Sequence, residues 1–147
     1  MSEIVGDPGK FAGASEHSQQ VALFAAVAQY ALEVPELALY HAVPNGGTRG
    51  GDKRSAMIAG ANMKAEGAKA GVSDTFLPVA RRGYHGFYLE MKAPGKLKGE
   101  SKEQKEWGAA VTAQGYLYAV FDSWHGALKA LMWYLGFQHS KEWALPD

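Results

Sequence analysis

The chain is expected to fold as a single α/β domain, with a mixed central β-sheet flanked by α-helices. Three observations predict this. A period-two apolar alternation runs through Gly86–Ala93 (GFYLEMKA), in which Phe87, Leu89 and Met91 face one way and Tyr88, Glu90 and Lys92 the other. Segments bounded by helix signals alternate with short apolar runs: Ser15 to Pro35, Asp52 to Gly67, and Ser101 to Gly115. At 147 residues and 47% hydrophobic, the chain is the size of one ordinary domain with enough apolar material for a core.

Taken in order, residues 1–14 are Gly-rich and polar and read as a flexible N-terminal segment, leaving 15–147 as the domain. Ser15 is a plausible N-cap for a helix running to about Val34, where Pro35 ends it. Its apolar face includes Leu23, Phe24, Val27 and Ala31. At 100° per residue Glu16 falls on that face too, although the macrodipole also favours an acid in any first turn. Leu37–Val43 (LALYHAV) reads as a strand, followed by a turn at Pro44-Asn45-Gly46-Gly47 and a loop to Gly51. A helix is expected over about Asp52 to Glu66, stopped by Gly67.

Thr75–Val79 is a short strand, Arg81-Arg82-Gly83-Tyr84-His85 the turn to the next, and Gly86–Ala93 its partner. This hairpin places Asp74 at its mouth, beside the strand that carries Glu90. Pro94–Glu100 is a lysine-bearing, flexible loop suited to lying over a substrate. A helix over about Ser101 to Gln114 opens on a Ser101/Gln104 capping-box pattern. Tyr116–Phe121 is the last strand and Ser123–Leu135 the last helix.

Composition removes several classes of function. With no cysteine there is no disulfide framework and no cysteine-based zinc site. No apolar run reaches membrane-spanning length, and Met1–Phe11 lacks the form of a secretion signal, so a soluble cytoplasmic protein is expected, with no membrane partner. The formal net charge of zero hides a division. Between Arg49 and Lys105 lie 12 of the 15 basic residues against six of the 15 acidic ones, a local +6 that the rest of the chain cancels. A polyanion partner for the middle segment follows.

The residues with the most chemistry are Asp74, Glu90 and Lys92. Two carboxylates and an ammonium on one ribbon suit Mg2+ or Mn2+ and a phosphodiester: the carboxylates hold the ion, which lowers the pKa of a bound water, and Lys92 orients that water or offsets transition-state charge. A surface ion pair would read the same way.

The wider pattern is more specific. His41-Ala-Val-Pro-Asn45-Gly46-Gly47, Lys64-Ala-Glu66-Gly67-Ala-Lys69-Ala-Gly71-Val-Ser-Asp74, Glu90-Met-Lys92 and Gln104-Lys-Glu-Trp107 occur in that order. The series, over roughly Ser15 to Leu135, resembles the virus-type replication-repair nuclease (VRR-NUC) domain, a branch of the PD-(D/E)xK superfamily. The resemblance implies a restriction-endonuclease-like core, divalent-metal catalysis and DNA as substrate. It implies that Asp74, Glu90, the Met91 carbonyl and a glutamate on the first helix, Glu16, bind metal. Lys92 would be the active-site lysine and Gln104 the helical glutamine beside it, unless Gln104 only caps its own helix. One departure is visible: Ser73 stands where the family usually has proline before the aspartate. Stand-alone members are associated with homodimers that cut four-way (Holliday) junctions, which suits a two-fold substrate.

Asn45, Arg49 and Lys53 are the expected phosphate contacts of the glycine-rich loop, with Lys64, Lys69, Lys96 and Lys98 extending a DNA-binding surface. A nucleotide phosphate loop at Gly46–Gly51 is disfavoured because Asp52 stands where lysine is needed. A flap or duplex endonuclease, or a DNA-binding module without cleavage, remains open. Among five histidines none forms a metal-binding helical pair, and His41 is read as packing beside the site.

Overall fold

The computed structural model describes residues 15–44 and 52–137. Helix α1 spans Glu16–Tyr30, strand β1 His41–Ala42, α2 Lys53–Ala65, β2 Thr75–Leu77, β3 Phe87–Met91, α3 Lys102–Ala113, β4 Leu117–Phe121 and α4 Trp124–Tyr134. The four strands form one mixed sheet in the order β1-β2-β3-β4, antiparallel except for the parallel β3–β4 pair. The expected fold class is the one observed.

Helix starts follow the sequence signals closely. Ser15, Asp52, Ser101 and Ser123 each accept a first-turn backbone N–H through a side-chain oxygen. The first helix is shorter than expected. Proline disfavours helical geometry at the residue before it, and Val34 accordingly sits at φ −122°, ψ 84°, with α1 already closed at Tyr30.

The strand expected over Leu37–Val43 is corrected to a 3-10 turn, Pro35–Leu39, and only two strand residues. The physical reason is a spacing of three: Val34, Leu37 and Tyr40 are all buried, so this stretch reaches the core once per 3-10 turn. Pro78 limits β2 to three residues, since it has no N–H for the ladder.

One face of the sheet is closed. Leu77, Phe87, Leu89 and Met91 pack against Leu23, Ala26 and Val27 of α1 and Leu128, Leu131 and Tyr134 of α4 in a single apolar cluster. The Tyr134 hydroxyl donates to the Val79 carbonyl at 2.6 Å and accepts the Arg81 N–H at 3.2 Å, tying the hairpin to α4. The opposite face carries α3 and the polar residues of the ribbon.

Candidate metal centre

The hairpin expected from the sequence brings Asp74 and Glu90 together, as the last row of the ribbon. Asp74 is fixed on three sides. Its carbonyl accepts the Val43 N–H at 2.7 Å, its carboxylate accepts the Met91 N–H at 2.9 Å, and its own N–H donates to Glu90 Oε2 at 3.3 Å. Just below, Tyr40 donates to Thr75 Oγ1 at 2.6 Å and Thr75 to the Leu89 carbonyl at 3.0 Å, locking β2 to β3 in the core.

Glu16, in the first turn of α1, completes a triad: Glu16, Asp74 and Glu90 each offer a carboxylate oxygen, and these oxygens all lie within 4.8 Å of one another. Burial and the neighbouring Asp74 carboxylate push the Glu90 acid up to about 8. Crowded anions with one of them buried are what a bound cation relieves. Three hard oxygen donors fit a hard divalent ion.

Glu90 is 1% exposed, and the buried Lys92 lies beside it, its Nζ 3.7 Å from Glu90 Oε1. Gln104 joins the two. Its Oε1 accepts from Lys92 Nζ at 2.8 Å and from the Ser101 N–H at 2.8 Å, while its Nε2 donates to Glu90 Oε1 at 2.5 Å. Lys92 and the Ser101 N–H have only protons to offer, which fixes the orientation of the amide. The sequence set helix capping and a place at the site as alternatives for Gln104, and one side chain does both. Close approach makes this possible at Gly71 (φ +85°), where a β-carbon would lie 2.3 Å from the Glu103 carbonyl oxygen.

Sequence reasoning missed the second anchor of α3. Tyr118 donates to Glu100 Oε2 at 2.5 Å, one residue before the Ser101 cap. Burial, then Glu100, raises the Tyr118 phenol, so it stays a donor. Tyr118 pairs with Tyr88 in the β3–β4 ladder, and the alternation in Tyr116–Phe121 was the signal that could have placed it on the Glu90 face.

The loop expected over Pro94–Glu100 is built of turns. Lys96 and Gly99 N–H groups bond to the Ala93 and Lys96 carbonyls, the Gly95 N–H donates to Asp122, and Glu100 is held by Tyr118. Lys96 and Lys98 are exposed on it; Lys53 and Lys64 are exposed on α2 and Lys69 after it. Asn45 and Arg49, with most of the glycine-rich loop, lie outside the described residues. His41 is exposed, with its ring edge against Phe76 at 5.9 Å between centroids. Among the described residues, no helix is long and apolar enough to cross a membrane.

No family model and no curated protein matches the chain. Among solved structures it is similar to a protein described as a VRR_NUC domain protein, with a TM-score of 0.53 and 24% sequence identity, covering 67% of this chain and 69% of that one. What this likeness establishes is the fold: a four-stranded mixed sheet flanked by helices, arranged as in a VRR_NUC domain.

Proposed function

We propose that this protein is a Mg2+- or Mn2+-dependent DNA endonuclease of the PD-(D/E)xK kind. The observation that carries the reading is the convergence of Glu16, Asp74 and Glu90 with Lys92 held beside them. A divalent ion at this point would lower the pKa of a bound water and offset charge on the phosphoryl oxygens.

The chain's own residues do the rest. Glu16, Asp74 and Glu90 would hold the ion, with the Met91 carbonyl as a further ligand. Lys92, aimed by Gln104, orients the attacking water or stabilises the added negative charge as water oxygen bonds to phosphorus and the bridging P–O bond breaks. Asn45, Arg49, Lys53, Lys64, Lys69, Lys96 and Lys98 supply phosphate contacts.

The substrate we favour is the four-way DNA junction, cut by a homodimer, on the strength of the motif series that resembles VRR-NUC domains. The exposure of α2 agrees with a second copy. This helix has no fully buried residue, and Met57 and Ile58 are 73% and 53% exposed among the described residues.

The test is cleavage of junction, flap, single-stranded and linear duplex DNA by purified protein with Mg2+ or Mn2+, with Asp74→Ala as control. Junction cutting that disappears in chelator and in Asp74→Ala is the expected result. Equal cutting of linear duplex and junction would remove the junction preference. Identical behaviour of wild type and Asp74→Ala on every substrate would leave a DNA-binding module.

A further inference from the structure

Beside the carboxylates lies a surface their chemistry does not use. His41, Phe76, Tyr88 and Tyr118 are directly paired across all four strands, one ring from each. Phe76 stacks on Tyr88 with centroids 4.2 Å apart and planes 22° from parallel. Tyr116 and Trp107 flank Tyr88 at 5.5 and 5.6 Å, and His85 continues the array 5.7 Å from Tyr116.

Three glycines leave the space these rings occupy. A β-carbon on Gly86 would meet the Phe76 ring at 2.8 Å, on Gly108 the Tyr118 ring at 2.5 Å, and on Gly115 the His85 ring at 2.8 Å. The rings are therefore seated in place. Yet they are only partly covered among the described residues: Phe76, Tyr88, Trp107 and Tyr116 are half-buried, and His41 and His85 exposed. Aromatic side chains that served only as core would be expected to be closed over, as Phe87 and Tyr134 are on the other face.

The position of the row decides its occupant. Phe76 is two residues from Asp74 along β2, and Tyr88 two from Glu90 along β3, so rings and carboxylates are adjacent rows on one face, about 7 Å apart. A DNA strand with a phosphate at the carboxylates carries its next nucleotide over the rings. A paired base is already stacked within its duplex and offers them nothing, whereas an unpaired base has a free π-face.

We infer that the row His41–Phe76–Tyr88–Tyr118, with Tyr116 and Trp107, is a stacking subsite for an unpaired nucleobase adjoining the scissile phosphate. The inference rests on the nuclease reading and deepens it. It gives the site a preference for strands that are single or frayed next to the cut.

The test uses the full chain without divalent ion and oligonucleotides carrying 2-aminopurine at successive positions, single-stranded or in duplex. Wild type is expected to quench the probe in single strands, and Phe76→Ala to weaken single-strand binding about tenfold while leaving duplex binding within about twofold. Phe76→Leu keeps the volume and removes the π-face, so it gives the same result even if Phe76→Ala fails to fold. Absence of quenching at every position in wild type, or equal loss on single and double strands in a folded Phe76→Leu protein, overturns the subsite. Capture of a protein partner by this face without nucleotide stacking overturns it too. Stacking without cleavage in any metal would retain the subsite and discard the nuclease; cleavage without stacking would do the reverse.

Discussion

The two faces of the sheet are built from alternate residues of the same strands, yet they are organised by different physics. On the α1–α4 face, Phe87, Leu89 and Met91 are at most 1% exposed and belong to the apolar cluster. On the α3 face the next residues along, Tyr88, Glu90 and Lys92, are partly open or ionisable, and Glu90 is buried at a cost that its raised pKa records. A period of two lets one ribbon hold a core that supplies stability beside a site that consumes it.

The largest effect on chemistry belongs to the carboxylate row. Groups that merely orient a metal ligand are worth roughly 10- to 100-fold in metal affinity or activity, so losing a ligand should cost more than about 100-fold. Asp74→Asn is expected to fall that far in cleavage while retaining its fold by circular dichroism and much of its DNA affinity. A variant that cuts as well as wild type would separate the acidic cluster from catalysis.

The converse substitution is Leu128→Ala on the closed face. Leu128 is fully buried, and truncation should lower stability by about 2–5 kcal/mol through lost contacts and the cavity left behind. Denaturant unfolding would measure this. The activity per folded molecule should stay near wild type; a loss matching that of Asp74→Asn would mean that the two faces are not separable.

Gln104 is the link between α3 and the site, and Gln104→Ala should reduce cleavage by roughly 10- to 100-fold. It also removes half of the capping box, at about 1 kcal/mol. The pairing of these two losses is the signature of a side chain with two roles. Restoring the cap by other means should recover melting temperature and not activity.

The pH dependence sharpens the contrast further. The Glu90 acid, ordinarily near 4.5, is held at about 8 without a cation. Because the folded value is the higher one, protonated Glu90 contributes stability that is fully present below pH 4.5 and is lost as pH rises through about 8. In chelator, melting temperature should therefore decline over that window, and Glu90→Gln should flatten the decline. Cation binding near neutrality must displace the proton. Calorimetry in buffers of different ionisation heat would show that release, and identical heats in all of them would contradict it.

How far the sequence foretold this division varies by element. The hairpin was legible because alternation in Gly86–Ala93 and the Asp74 spacing are local properties, and the helix starts because a cap is a side chain acting on its own first turn. The Leu37–Val43 segment was misread because a run of apolar residues carries no period. Only the burial of Val34, Leu37 and Tyr40 shows the spacing of three. Glu16 could be placed on the core-facing side of α1, but its distance from Asp74 depends on how α1 packs across the sheet. The double use of Gln104 and the Tyr118–Glu100 contact were hidden for the same reason: each needs α3 docked on β4 before its partners exist.

That docking gives the smallest and most diagnostic test. Tyr118 belongs to the aromatic row, but its hydroxyl reaches Glu100 at the mouth of α3, so it couples that row to the helix that carries Gln104. Tyr118→Phe keeps the ring against Gly108 and deletes only the hydrogen bond. Since Glu100 is part-exposed and can turn to water, the loss should be about 1 kcal/mol or less by denaturant unfolding. Cleavage should fall only a few-fold, in kcat rather than KM, because Ser101 and Gln104 still cap the helix. A drop as deep as that of Gln104→Ala would show that α3 is positioned chiefly through Tyr118, and that the capping box follows the docking instead of directing it.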